Sequence, residues 1–131
     1  MYIPNYLLKQ IKELENKEHK TKKEIETMLR QALAEDGFHL LYQPKVNTTT
    51  GEIAGFEALL RMKKHQISPA LFIPIAEESG YIVEIGRWVA KTVIAQLAKW
   101  NSLGMCPKHV GINYSSKQLR DVDYITYVCQ L

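Results

Sequence analysis

The sequence contains few of the residues that mark specialised classes of protein. Its two cysteines, Cys106 and Cys129, are too few for a disulfide scaffold and lack the spacing of a metal site. No apolar run approaches the ~20 residues that span a membrane, and the N-terminus lacks the apolar core of a signal peptide. We therefore expect reduced thiols, no membrane segment and a cytoplasmic location.

The sequence also has little net charge, since the formal value at pH 7 is only +3. Most of the excess lies in residues 1–30, so the remainder shows no basic patch for a nucleic-acid polymer. The sequence has no Gly-rich phosphate loop and no nucleophile elbow. The histidines show no paired spacing, and we expect them to be structural or exposed: His19, His39, His65 and His109.

The sequence does contain enough apolar material for one small domain, at 46% hydrophobic and 9% aromatic residues. From Leu7 to about Leu33 the apolar spacing predicts a helix, but residues 15–24 carry no apolar side chain and should be solvated or frayed. Residues 1–27 are therefore predicted to form a helical arm. It is either a plain linker, which the pattern favours, or a signalling helix that transmits the rearrangement of a dimer.

Residues 38–62 are predicted to form a β-hairpin, because two strand-like runs flank the turn-forming sequence NTTTG. Pro44 restricts the first strand to an edge, an end or a bulge. Further along, Pro69 and Pro74 each predict the start of a short helix, and Gly80 ends the second.

The second half of the sequence predicts a βαβ crossover. Apolar residues recur at helical spacing from Ile82 to about Gly104, and a strand-like run follows around Gly111. A crossover of this kind requires a parallel sheet, which two or three strands cannot complete. From Asp121 a further helix is predicted, with one apolar face formed by Val122, Ile125 and Val128.

The sequence GFEALLRM (55–62) combines a strand-like alternation with two charges on one face. Glu57, Leu59 and Arg61 share that face, since side chains alternate along a strand. The carboxylate could hold a divalent cation and the guanidinium could bind a phosphate. The residues alone favour the other interpretation, an exposed ion pair on an open sheet.

Asn113 follows the second crossover strand, at the end where βα architectures collect ligands. Its amide oxygen could be a neutral metal ligand. Taken alone, a turn or cap role is favoured.

Four motifs in order resemble the first half of the EAL domain family, the bacterial cyclic di-GMP phosphodiesterases. They cover residues from about Met28 to Leu131, and we expect residues 28–131 to form this domain. The motifs are YQPKV (42–46), EALLR (57–61), SPALFIPIAEESGYIVEIGRWV (68–89) and NYSSKQL (113–119). A lone EAL tripeptide would carry no information, whereas four collinear motifs are specific.

The resemblance implies an α/β fold, a TIM-like (βα) barrel whose first strand is antiparallel, here partial and preceded by the N-terminal helix. It implies hydrolysis of cyclic di-GMP to linear pGpG, with two Mg²⁺ or Mn²⁺ ions that activate a water and neutralise developing charge. Glu57 would be the catalytic metal ligand and Asn113 a second ligand. Residues expected to contact the dinucleotide are Gln43, Leu59, Arg61 and Pro74.

The family's later motifs would lie beyond Leu131, and they supply most of the metal ligands. Three hypotheses follow: a phosphodiesterase fragment that is inactive as this isolated chain, a non-catalytic module that binds cyclic di-GMP or a protein partner, or a truncated product that persists by oligomerisation. In each case we expect self-association through the domain or the N-terminal helix.

Overall fold

The computed structural model describes residues 2–131, apart from the side chains of residues 14–20. It is a mixed α/β structure with one three-stranded sheet in the order β1-β2-β3. Along the chain the elements are α1 (Asn5–Ala34), β1 (Phe38–Val46), β2 (Ile53–Met62), α2 (Pro69–Ser79), α3 (Ile82–Ser102), β3 (Val110–Ile112), a 3₁₀ helix (Ser116–Arg120) and α4 (Tyr124–Cys129).

Helix α1 confirms the predicted helix, and its two ends have different surroundings. Near the C-terminal end Ile25 and Leu29 are buried in the core, whereas Leu8 and Ile11 near the other end are 40% and 45% exposed. The helix ends at Ala34. Asp36 then adopts a left-handed φ of 54°, and the Gly37 N–H bonds the Ala32 carbonyl at 2.7 Å. The second half of α1 is therefore part of the folded domain.

The polar middle of α1 is described only in part. The expected solvation of residues 15–20, including His19, falls on side chains outside the described set. Lys22 forms an exposed ion pair with Glu78 of α2 at 2.7 Å, which links the end of this stretch to the domain. No helix in the described part of the chain is both long enough and apolar enough to cross a bilayer.

Strands β1 and β2 form the predicted antiparallel hairpin. Its turn is held by Asn47, whose side-chain oxygen accepts the Thr49 N–H at 2.9 Å, and by Gly51 at φ 74°, a conformation that glycine adopts without strain. Pro44 lies on the edge strand, as expected, and the register shifts between Lys45 and Val46.

Helix α2 corrects one prediction, because Pro69 and Pro74 belong to the same helix. Ser68 caps it by accepting the Ala70 N–H at 3.2 Å, and Pro69 occupies the first turn, where no N–H is required. Pro74 lies inside the helix and starts nothing. Since proline has no N–H, it removes one helical hydrogen bond, but burial of Phe72 and Ala76 on either side retains the helix.

Helix α3 and strand β3 complete the predicted crossover. Ile85, Val89 and Val93 of α3 are buried at helical spacing, and β3 pairs parallel to β2, with Glu57 opposite Gly111. The first strand is therefore antiparallel to the second and the third is parallel to it, as the resemblance implied.

The core lies between one face of the sheet and the helices. Ala58 and Met62 of β2 are buried there with Phe72, Ile85 and Leu29; burying each large side chain contributes about 1.5–3 kcal/mol. By the alternation of the strand, Glu57, Leu59 and Arg61 lie on the opposite face. This is the division of faces that the sequence predicted.

The C-terminal segment differs from the prediction. A 3₁₀ helix, which was not predicted, precedes α4, and α4 begins at Tyr124 instead of Asp121. Asp121 has ψ of 85°, outside the helical range, because its carboxylate is held by Arg87 of α3. On the predicted apolar face Val122 and Ile125 are 87% and 71% exposed.

Candidate functional site

Glu57 and Asn113 meet where β2 and β3 run side by side. The Asn113 Nδ2 donates a hydrogen bond of 3.1 Å to Glu57 Oε1, across 56 residues of sequence. Asn113 is the first residue after β3, and it is exposed. The structure thus brings together the two predicted metal ligands.

Gln43 on β1 lies next to this pair. It is the register partner of Glu57 in the β1–β2 pair, and partners in an antiparallel pair have Cβ atoms about 4.5–5.5 Å apart on one face. Gln43 is exposed. The Glu57 carboxylate on β2 therefore has one carboxamide on each side, Gln43 on β1 and Asn113 directly after β3.

The aromatic packing on the other face of the sheet fixes this part of the hairpin. Tyr42 contacts Trp100 of α3 edge-on, with ring centroids 4.9 Å apart, and Phe56 contacts the same ring at 5.7 Å. Burial raises the pKa of the Tyr42 hydroxyl above its ordinary value. Because Tyr42 and Phe56 precede Gln43 and Glu57, their packing sets the direction of the two polar side chains.

A cavity of about 430 Å³ opens beside the pair, between the ends of the strands and helices α2 and α3. Leu59, Arg61 and Asn113 line it, together with apolar residues of both helices. The Arg61 guanidinium donates to the Leu60 carbonyl at 2.8 Å. Its remaining N–H groups could bind an anion that enters this cavity.

Pro74 does not join the other predicted site residues around this cavity. It is exposed inside α2, and it is absent from the residues that line the cavity, as are Gln43 and Glu57. The structure therefore brings Glu57, Asn113 and Gln43 together, sets Leu59 and Arg61 on the adjacent cavity wall, and leaves Pro74 on the neighbouring helix.

The loop after Asn113 contains residues that the sequence prediction missed. Ser115 and Gln118 form a capping box at the start of the 3₁₀ helix, and Gln118 packs against Gly86 of α3. The sequence carried two signals of this contact. One is the Ser-x-x-Gln spacing, and the other is an isolated glycine in the middle of a helical pattern, which usually has a packing reason.

The donors present match a hard cation in kind but not in number. Glu57 and Asn113 offer oxygen ligands, whereas a Mg²⁺-like ion requires about six. Within the described part of the chain, no three His, Cys, Asp or Glu side chains cluster closely enough to hold a metal. These residues can therefore form one side of a metal site and not a complete one.

Comparison with known proteins gives one matching family and many relatives. The family model described as "EAL domain" matches residues 26–131. Cyclic di-GMP phosphodiesterase PA2567 of Pseudomonas aeruginosa is 39% identical over 109 residues, which are 80% of this chain and 18% of that protein. Cyclic di-GMP phosphodiesterase PdeR of Escherichia coli is 42% identical over 110 residues, which are 82% of this chain and 16% of the relative.

Solved structures resemble this fold over most of the chain. The PaMucR phosphodiesterase in complex with c-di-GMP superimposes with a TM-score of 0.74 at 35% identity, covering 82% of this chain and 44% of that one. The Xanthomonas citri FimX EAL domain in complex with c-diGMP gives 0.73 at 30% identity, covering 88% and 45%. This chain thus spans under half of these structures and under a fifth of the two relatives above.

Proposed function

This chain belongs to the EAL domain family, and we propose that it forms the N-terminal part of a domain that hydrolyses cyclic di-GMP to linear pGpG. The observation that carries the proposal is the 3.1 Å hydrogen bond between Glu57 on β2 and Asn113 directly after the neighbouring parallel strand β3. The carboxyl ends of such strands are where βα folds place ligands. Relatives named as cyclic di-GMP phosphodiesterases support the same activity.

Glu57 is the proposed catalytic metal ligand and Asn113 its neighbour in the same site. A half-turn of the Asn113 amide would place an oxygen beside Glu57 Oε1, since the two amide atoms occupy equivalent positions. Two oxygens at this separation can share one hard cation, for which we propose Mg²⁺ or Mn²⁺. The remaining ligands would come from residues outside this chain.

The dinucleotide would contact the residues around this pair. Arg61 has the fork of N–H groups that suits a phosphate or a guanine edge, and Leu59 provides an apolar surface on the same cavity wall. Gln43, opposite Glu57, would donate or accept a hydrogen bond from the strand edge. Pro74 would contact the ligand from α2 only if the ligand extends beyond the cavity.

The proposed fold is a partial TIM-like (βα) barrel of EAL type, in which residues 28–131 form the domain and residues 1–27 form a helical arm. The sheet supports this because β1 is antiparallel and β2 and β3 are parallel. We propose a cytoplasmic location, where cyclic di-GMP signalling would take place, with no direct membrane segment and no nucleic-acid polymer as partner.

As an isolated chain, the protein is proposed to be inactive, because two oxygen ligands cannot hold the cations that the reaction requires. The same shortage favours a second candidate function, a non-catalytic module that binds cyclic di-GMP or a protein partner. The two candidates make different use of Glu57, as a ligand that turnover requires or as one polar contact among several.

Self-association is the further partner proposal. Apolar side chains of the first part of α1 are exposed, with Tyr6 at 66% and Ile11 at 45%. Strand β3 pairs only with β2 among the described residues, so its other edge offers unpaired backbone groups to another chain. A second copy of this chain would cover both surfaces.

A chimera tests the proposed enzymatic function. In it, residues 26–131 replace the aligned segment of the E. coli cyclic di-GMP phosphodiesterase PdeR, which supplies the rest of that enzyme. We expect the chimera to hydrolyse cyclic di-GMP with Mg²⁺ or Mn²⁺. Glu57→Gln should lower kcat by about 100-fold or more, because even losses outside the direct ligand set cost about 10–100-fold.

Glu52→Gln is the matched control, since Glu52 is an exposed glutamate beside the hairpin turn and its loss should leave kcat unchanged. A folded chimera that binds cyclic di-GMP without hydrolysing it would contradict the enzyme proposal and favour the binding module. Equal loss of activity in both variants would show that Glu57 has no special role.

A further inference from the structure

The side chain of Gln118 is buried against helix α3. Gln118 is 3% exposed, and Gly86 provides the space that it occupies. A methyl group at position 86 would overlap the side-chain amide of Gln118, and even its Cδ atom would be only 2.8 Å away. A glycine in a helix interior weakens the helix. At position 86 this cost is offset by the space that glycine leaves for the Gln118 side chain.

Gln118 acts on the backbone close to Asn113. Its Oε1 accepts the Ser115 N–H at 2.9 Å, and the Ser115 hydroxyl accepts the Lys117 N–H at 3.2 Å. This reciprocal capping box fixes the start of the 3₁₀ helix. Since Ser115 is two residues after Asn113, a fixed Ser115 amide limits the directions that the Asn113 side chain can take.

The far end of the same helix is anchored separately. Arg87, next to Gly86 in α3, donates two hydrogen bonds of 2.6 Å to Asp121. Helix α3 therefore holds the segment at both ends, at Gln118 and at Asp121. Only the first anchor bonds the backbone beside Asn113.

We propose that Gln118 is a positioning residue that holds Asn113 against Glu57. It acts through its hydrogen bond to the Ser115 backbone, whereas Asn113 itself bonds Glu57. The functional importance of this positioning rests on the proposed role of the Glu57–Asn113 pair, whereas the geometry does not.

Nuclear magnetic resonance of the full 131-residue chain tests the proposal through the nuclear Overhauser contact between the Asn113 side-chain amide and Glu57. Gln118→Met removes the acceptor at similar side-chain length, and we expect the contact to be lost. Gln118→Glu restores an acceptor that capping boxes commonly use, and we expect the contact to return.

Asp121→Asn is the matched control, because it weakens the other anchor of the same helix. We expect it to lower the urea midpoint while the Asn113 contact persists. If Gln118 contributed only to general stability, Gln118→Met and Asp121→Asn chains of equal stability would lose the Asn113–Glu57 contact to the same extent. That result, or a folded Gln118→Met chain that keeps the contact, would overturn the proposal.

Hydrogen exchange of the unsubstituted chain decides the matter if Gln118→Met does not fold. The Ser115 amide should be protected, and exchange at the rate of an unbonded loop amide would overturn the proposal. Neither measurement requires a cation or cyclic di-GMP. A chimera that binds cyclic di-GMP without hydrolysing it would therefore refute the proposed enzymatic function without affecting this result.

Discussion

Arg87 and Asp121, 34 residues apart, form an ion pair in which both hydrogen bonds are 2.6 Å long. The ring of Tyr127 lies 4.7 Å from the same guanidinium, so the pair joins α3 to both the 3₁₀ helix and α4. The side chain of Asp121 is only 6% exposed. This contact connects the 3₁₀ helix and α4 to the core, and it explains why α4 starts later than the sequence predicts.

The free energy of unfolding should therefore decrease at acidic pH as Asp121 becomes protonated. The hydrogen bonds from Arg87 lower the pKa of Asp121 below its ordinary value. Its contribution is complete above the unfolded aspartate pKa of about 3.9 and is lost as pH falls through the lower folded value. Urea midpoints measured from pH 6 downward should decline less steeply in Asp121→Asn.

Asp123→Asn is the control for that series, because it removes the same charge from an exposed neighbour. We expect its pH dependence to match that of the unsubstituted chain. Identical acid sensitivity in Asp121→Asn and the unsubstituted chain would contradict the assignment.

Gly86→Ala should destabilise the fold although alanine is the better helix former. The intrinsic gain is about 1 kcal/mol, but overlap with Gln118 should cost more, since overpacking typically costs about 1–3 kcal/mol. In a Gln118→Ala background the same substitution should become neutral or stabilising. Urea unfolding of the four chains gives the coupling energy, and additive effects would argue against the contact.

Leu29→Ala should destabilise the chain by about 2–5 kcal/mol, because Leu29 is fully buried and truncation leaves a cavity. Leu8→Ala, in the exposed part of the same helix, should change stability by less than about 0.5 kcal/mol. Thermal or urea unfolding checks both. Similar effects of the two substitutions would show that the arm is as tightly packed as the second half of α1.

The purified 131-residue chain should show no appreciable hydrolysis of cyclic di-GMP with Mg²⁺ or Mn²⁺, because Glu57 and Asn113 provide too few ligands. Product analysis for linear pGpG measures this. Robust turnover that Glu57→Ala abolishes would contradict the prediction and indicate that ligands are assembled between subunits.

Sedimentation should show self-association of the isolated chain. Replacing Leu7 and Ile11 by lysine should weaken it if the arm is the interface, since each charge would be buried without a partner. Replacing the exposed Val122 and Ile125 by lysine tests the C-terminal surface in the same way. A monodisperse, cooperatively folding monomer would contradict the prediction.

Local patterns predicted most of the fold. The alternation in β2 identified the core face, and Asp36-Gly37 correctly marked the end of α1. Pro74 was misassigned because local rules favour proline at a helix start, whereas burial of its neighbours Phe72 and Ala76 keeps the helix intact. Asp121 was misassigned because its partner Arg87 is distant in sequence.

The site could be predicted only in part for a related reason. Glu57 and Asn113 were identified by their motifs, and their contact follows from the parallel pairing of β2 and β3. The cavity beside them depends on how α2 and α3 converge, which no sequence pattern specifies. Gln118 in turn depends on the missing side chain at Gly86, a three-dimensional fit between two distant segments.

The direction of β1 also has a consequence for the order of folding. Gln43 and Glu57 are joined by a hairpin, and hairpins form within about 1–10 μs. Glu57 and Asn113 are 56 residues apart, so their contact must await the docking of two helices and carries a larger closure entropy. We expect the amides of β1 and β2 to gain protection from hydrogen exchange before the amide of Ile112. The Gln43–Glu57 side of the site would then form before the Glu57–Asn113 side.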